Sequence, residues 1–331
     1  MSLLTTETVP DMSTSLTIQD PAHLPALLAS EIEDAASLAK AEKAAATRRA
    51  YRTDFRLFNE WCASRGVGSL PASPETVAAY LASEAKGGAK PSTIARRAAA
   101  IRYAHKLASL PAPTDAESVK ATMRGIRRTY SGPKAKKAPA TAPRVKGMVA
   151  VTREGISGLR DRALLLIGFA GAFRRSELVA LDVSDIEEVS EGLRVTIGRS
   201  KTDQEAQGRV LAIPRGDVAC PVKALLTWLH AAKIESGPLF RPVNKAGMVA
   251  EARLTSQSVA LIIKAYAKRA GLDPSSYAGH SLRAGFLTSA AANRASLFKM
   301  MDVSGHRSVE TLRTYVRDAE IFRDHAGDGL L

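Results

Sequence analysis

The stretch SGHRSVETLRTYVR, Ser304 to Arg317, sets a tyrosine on a short predicted helix, with a histidine nine residues before it and arginines at 307, 313 and 317. Val309, Leu312 and Val316 recur at helical spacing as one narrow apolar face, which leaves Tyr315 at the rim of the core that face covers. A rim tyrosine is commonly an amphipathic spacer, its ring buried and its hydroxyl wet. The same position suits a phenol that reacts, provided other segments bring groups to take its proton and to hold an anionic substrate.

Three other stretches carry such groups. In GHSLRAG, residues 279–285, His280 and Arg283 share one helix face, so imidazole and guanidinium can converge on a small anion. Alone, the pair is equally a helix start with a surface arginine. In AFRRSEL, residues 172–178, Arg174 and Arg175 follow a glycine break after a strongly apolar helix, so that one guanidinium can stand at the core's edge and point into a cleft. Its planar fork of donors matches two phosphate oxygens and stays protonated at any working pH. Glu177 either orients that fork or makes an ordinary helix ion pair. In GRSKTD, Lys201 lies at the tip of a predicted hairpin; it is a solubility residue, or an ammonium delivered to a leaving group by a ribbon laid along nucleic acid. Asp182 and Asp185 have the register of a surface turn, and no D-x-D or E-x-K cluster offers a metal site, so no cofactor is expected.

The elements that must position these residues fall into two textures. Residues 1–23 are rich in Ser, Thr and Pro, carry acids but no Lys or Arg, and show no periodicity, as a disordered leader would. Residues 24–130 are predicted to be all-helical: Leu24–Lys43, Ala46–Arg65, a third helix opened by Ser73-Pro74, a fourth capped by Ser92, and a fifth opened by a capping box at Thr114–Glu117. Residues 131–147 form a predicted basic linker; from 119 to 147 there are nine Lys or Arg and no acid. From 148 to 331 the pattern is mixed. DRALLLIGFAGAF is a buried helix broken at Gly171, RRSELVAL resumes it, Leu193–Gly198 and Arg209–Ile213 pair as a hairpin, and helices follow over 221–233, 255–270, 280–292 and 308–317.

A chain of 331 residues can hold two domains with substantial cores. Lys and Arg number 47 against 33 Asp and Glu, a net charge of +14, so the surface should attract polyanions, nucleic acid first. Arg96, Arg97 and Arg102 on the fourth helix, Arg127 and Arg128 ending the fifth, and Lys134, Lys136 and Lys137 in the linker are the candidate DNA contacts. Cys62 and Cys220 stand far apart without metal-ligand spacing, which suits reduced thiols in a cytoplasmic, nucleoid-associated protein. No apolar run is long enough to span a membrane.

Taken in order, Arg174, Lys201, His280-x-x-Arg283, Gly305-His306 and Tyr315 resemble the tyrosine site-specific recombinase and phage integrase family, over the chain from about residue 30 to its end. Residues 110–130 and the brief tail after Tyr315 are more similar to Cre-like members than to the shorter Xer proteins. The resemblance implies a helical core-binding domain and an α+β catalytic domain closing as a C-shaped clamp on double-stranded DNA. It further implies a homotetramer on two sites with paired inverted repeats, a 3′-phosphotyrosine intermediate and a Holliday junction. Arg174 matches the first catalytic arginine, although Arg175 stands where the family commonly has an aliphatic residue; Lys201 matches the hairpin lysine, His280 and Arg283 the His-x-x-Arg pair, and Tyr315 the nucleophile. His306 takes a place held by histidine or tryptophan, and Glu177 matches a support residue. C-terminal helices of Cre-like members insert into a neighbouring protomer; residues 316–331 either do so here or fold back on their own domain.

These groups suit the reaction. A covalent phosphotyrosine stores the phosphodiester energy that water would waste. Arg174, Arg283 and His306 can stabilise charge on the non-bridging oxygens, His280 can take the phenol proton and Lys201 can return one to the leaving 5′ oxygen. A type IB topoisomerase shares this chemistry but yields only relaxed DNA. A DNA-binding regulator that has lost catalysis would have been expected to lose one of the six.

Overall fold

The computed structural model describes residues 26–132, 137–198 and 208–320. They belong to two compact units, divided between Lys134 and Ala135. The predicted leader, Lys134, Lys136, Lys201 and the tail beyond residue 320 lie outside the described residues.

The first unit is helical: α1 (Ala26–Ala41), α2 (Ala45–Ala63), α3 (Pro74–Lys86), α4 (Pro91–Leu107) and α5 (Glu117–Tyr130). Its core is the aromatic face of α2, Phe55, Phe58 and Trp61, packed around Tyr80 of α3, with ring centroids 5.0 Å apart for Phe58–Tyr80 and 5.4 Å for Trp61–Tyr80. Ser73 caps α3, its hydroxyl accepting from the Thr76 amide at 3.2 Å, and Pro74 stands in the first turn, where its missing N–H costs nothing. Two predicted starts differ. The fourth helix begins at Pro91 with Lys90 as its cap, one turn position ahead of Ser92, because proline's fixed φ already opens the helix. The Thr114–Glu117 capping box does not form. Pro113–Asp115 is a 3₁₀ turn, Asp115 pairs with Arg102 at 2.9 Å, and α5 opens on Ala116 with Glu117 turned to Arg124.

The second unit contains α6 (Ala142–Ala150), α7 (Ile156–Ala170), α8 (Arg175–Ala180), strands β1 (Ile186–Val189), β2 (Gly192–Ile197) and β3 (Arg209–Pro214), then α9 (Pro221–Ala232), α10 (Ser256–Arg269), α11 (Ser281–Ala292), α12 (Leu297–Ser304) and α13 (Val309–Glu320). The strands form an antiparallel meander in the order β1-β2-β3, with Val195 opposite both Ile186 and Leu211. Leu193, Val195, Ile197, Leu211 and Ile213 face inward, and Arg194, Thr196, Val210 and Ala212 outward. The central helix α7 is apolar nearly all round because it is buried nearly all round, between α9, α11 and the sheet. Its Asp161 carboxylate accepts from the Arg160 guanidinium and, at 2.9 Å, from the Tyr266 hydroxyl of α10, so the buried charge is paired and bonded.

The basic linker predicted to reach residue 147 is shorter than that. Ala140 is fully buried, and the amides of Ala138 and Ala140 donate to the Ser276 and Ser281 carbonyls at 2.7 and 2.8 Å. Gly285 of α11 permits this approach, since a Cβ there would stand 1.8 Å from the Ala140 oxygen. Pro143 then lies in the first turn of α6, a proline that starts a helix rather than breaking one.

Candidate active site

Five separate segments of the second unit supply the site. The chain leaves α7 at Gly171 and turns back through Ala172 and Phe173, placing Arg174 as the cap residue of α8. Glu177, in the first turn of α8 and 6% exposed, accepts from the Arg174 amide at 2.9 Å and from its guanidinium. One carboxylate thus holds both ends of the arginine. Arg175 lies instead with its aliphatic stem over Gly279, where a Cβ would meet its Cδ at 2.7 Å.

At the start of α11, His280 is the cap residue and is exposed, while Arg283 is buried one turn on. Arg283 Nη1 donates to the Ala172 carbonyl at 2.8 Å, which fixes the guanidinium against the turn that presents Arg174. Its Nη2 lies 3.1 Å from His306 Nε2 and 3.2 Å from Nδ1 of the same ring. His306 follows Gly305, whose left-handed conformation (φ 64°) ends α12 and redirects the chain into α13. Ser304, fully buried, gives its one hydroxyl proton to the Met300 carbonyl at 2.6 Å. The 2.7 Å contact between Ser304 Oγ and His306 Nδ1 must therefore be donated by the ring, which leaves Nε2 without a proton.

Tyr315 stands on α13, which packs against α11 around Leu287, Ala291, Met300 and the fully buried Leu312. Its ring is half-buried at the edge of that cluster, whereas Val309, assigned from sequence to the apolar face, is 43% exposed because the helix begins there, past the end of α12. Tyr315 and His280 line one cavity of about 640 Å³, together with Lys137, Ala284, Thr288 and Thr311.

The electrostatics are set by burial and by arginines gathered around one ring. Burial, reinforced by Arg174, pushes Arg283 down to about 10, with Glu177 and Tyr315 opposing. Burial, then Arg283, Arg174 and Arg209, push His306 down to about 4. Arg209, at the start of β3, is also lowered by burial and by Arg174. Three guanidinium groups thus act on one another, and the Glu177 carboxylate opposes them.

Sequence reasoning missed two members of this cluster, Ser304 and Arg209. Ser304 was signalled only by standing two residues before the histidine, and Arg209 opens a run assigned as a strand. Of the predicted catalytic set, Arg174, His280, Arg283, His306 and Tyr315 belong to this one unit. Arg174, Arg283 and His306 are tied by bonds or charge, and His280 and Tyr315 line the same cavity. Among the predicted DNA contacts, Arg127 and Arg128 are exposed on α5, and Lys137 is exposed with its ammonium on the Ser275 carbonyl at 2.7 Å. Arg96 chelates the buried Asp54 carboxylate at 2.7 and 3.0 Å. Arg97 corrects the expectation of a free surface cation. It is 16% exposed and paired with Glu84, because its position on α4 turns toward α2 and α3.

Residues 141–320 match the phage integrase family, and residues 36–109 match the phage integrase N-terminal SAM-like domain. The integrase/recombinase XerD homologue of Selenomonas ruminantium is 39% identical over 290 residues, spanning 86% of this chain and 85% of that protein. The recombinase Cre of Escherichia phage P1 is 26% identical over 284 residues, spanning 80% and 82%. A solved structure of the XerH site-specific recombinase bound to palindromic difH substrate, a post-cleavage complex, shares the fold with a TM-score of 0.60 at 16% identity, over 91% of this chain and 84% of that one.

Proposed function

The chain belongs to the phage integrase family of tyrosine recombinases, and on that premise we propose that Tyr315 is the nucleophile with which it cuts and rejoins DNA. The observation that carries this reading is the cluster of Arg174, Arg283 and Arg209 around His306, with Tyr315 close enough for its charge to bear on Arg283.

The scissile phosphate enters between Arg174 and Arg283. Both are held from behind, by Glu177 and by the Ala172 carbonyl, so they meet the developing charge without reorganising. Tyr315 Oη attacks phosphorus, the bond to the 5′ oxygen breaks, and a 3′-phosphotyrosine forms. His280, across the cavity, takes the phenol proton as the bond forms. Lys201 returns a proton to the leaving oxygen. His306 is neutral in the free chain. The phosphate's negative charge counters the arginines that depress it, so a proton on Nε2 then serves as a donor to a phosphate oxygen. The reverse attack, by a 5′ hydroxyl from a second strand, completes the exchange. The arginines supply the charge that a metal would otherwise supply, so none is required in this scheme.

The same reading gives double-stranded DNA with paired inverted repeats as substrate and a tetramer on two sites as the working assembly, through a Holliday junction. Arg127, Arg128 and Lys137 are proposed phosphate contacts, with Lys134 and Lys136 beside them in sequence. Arg96 and Arg102 would have to leave their carboxylates to join.

The test uses the duplex that the wild-type chain selects from a randomised pool, nicked near its centre to trap the covalent product, in excess EDTA. The wild type should form an adduct that survives denaturation, and Tyr315→Phe should bind as tightly and form none. An adduct from the phenylalanine variant would remove Tyr315 from its role.

A further inference from the structure

Arg209 makes contacts that a strand-opening residue does not need. Its Nη1 donates to two carbonyls of the last turn of α12, Asp302 and Val303, each at 2.9 Å. These are backbone acceptors that the helix itself leaves unpaired at its C-terminal end. The guanidinium also lies flat against Gly305, where a Cβ would stand 2.8 Å from Cζ and from Nη1. The other terminal nitrogen, Nη2, is buried with no hydrogen-bond partner among the described residues. A buried donor without a partner has lost its hydration and gained no bond in return. Two neighbouring cations add to the cost of keeping this charge where it is. For holding α12 against the sheet, an apolar side chain of similar volume would serve without either cost.

What distinguishes the position is the residue that follows Gly305. His306 leaves the turn that Arg209 grips, and its ring is held from the same turn by Ser304. We propose that Arg209 is a positioning residue for the recombination chemistry. It clamps the end of α12 onto β3 and thereby fixes where His306 presents Nε2 to the substrate phosphate. Its charge works in the same direction, because together with Arg283 and Arg174 it keeps the ring neutral until an anion arrives. The inference rests on the phosphate-site reading given above, but not on which residue attacks.

The test is a double-mutant cycle in the full chain, with single-turnover adduct formation on the selected, nicked duplex as the measurement. Arg209→Met removes both carbonyl bonds and the charge and should slow adduct formation by about 10²-fold, the size seen when one fixed donor to a transition state is lost. In a His306→Ala background the same change should cost less than about 3-fold, because the residue through which it acts is already gone. Equal losses in the two backgrounds would overturn the proposal, as would no loss in the wild-type background. Arg209→Lys keeps the charge but offers a single ammonium in place of the planar fork, and the same cycle applies to it if the methionine variant does not fold. A wild-type chain that forms no adduct would instead refute the proposed function, so the two failures are distinguishable.

Discussion

At the scale of single residues, the site's chemistry turns on where one proton sits. Ser304 has a single hydroxyl hydrogen and gives it to Met300, so His306 must donate from Nδ1 and keep Nε2 bare. Burial and three arginines hold that ring down to about 4, against about 6.5 for an unfolded histidine. Acid therefore loads the unfolded chain first. The stability contributed by the neutral ring is complete above the unfolded value and is lost as pH falls through that of the folded chain. His105 in the first unit has the same sign, because its burial outweighs the bond to the Ile101 carbonyl that favours the charged ring. His306→Asn should consequently flatten the acid limb without abolishing it. Urea midpoints at pH 7.5 and 4.5 should fall less in the variant than in the wild type. An equal fall would mean that His306 is not held neutral by its surroundings.

At the scale of elements, the site depends on a turn rather than on a helix. Gly305 has φ 64° and the Arg209 guanidinium against its Cα, so alanine there meets two objections at once. A left-handed non-glycine residue costs roughly 1–2 kcal/mol, and the new methyl must also push Arg209 off the Asp302 and Val303 carbonyls. Gly305→Ala should therefore lower the thermal midpoint of the second unit and slow adduct formation at least as much as Arg209→Met, with the first unit's transition unchanged. A variant that melted normally and cleaved at the wild-type rate would show that the clamp is idle. This turn also marks where sequence stops being informative. Tyr315, His306 and the Ser73-Pro74 start are legible because their signals are local: a fixed spacing, or a cap beside a proline. The helix α12 is hard to see because it is short and carries an exposed Phe298. The β1 run IEEV is two glutamates between aliphatics and becomes a strand only by pairing with β2. Arg209 acts on carbonyls more than ninety residues away in the chain, and backbone acceptors leave no mark on side-chain pattern. The segment 138–150 looks like linker because its prolines and alanines say nothing of the close backbone approach that Gly285 allows Ala140.

At the scale of the whole molecule, the net charge of +14 is not uniformly available to DNA. Part of it is used inside the first unit. Arg96 spans both oxygens of Asp54, a carboxylate only 1% exposed, and Arg97 is shared between Glu84 and Asp54. Removing Arg96 strands a buried anion, an effect on folding, whereas Arg127 and Arg128 are exposed at the end of α5 and their loss should be felt by the ligand. Binding to the selected duplex should depend steeply on salt. A chain neutralising about 6–10 phosphates loses about 10³–10⁵ in affinity between roughly 50 and 200 mM. Arg127→Gln and Arg128→Gln should each reduce the slope of log affinity against log salt by about 1, with the melting of the first unit unchanged. Arg96→Gln should leave the slope intact and lower that melting temperature instead. Titrations at four salt concentrations, alongside thermal melts of the same variants, separate the two behaviours. If Arg96→Gln flattened the slope while Arg127→Gln did not, the DNA-facing side of the helical unit would be α4, and the ion pair with Asp54 would have to open on binding.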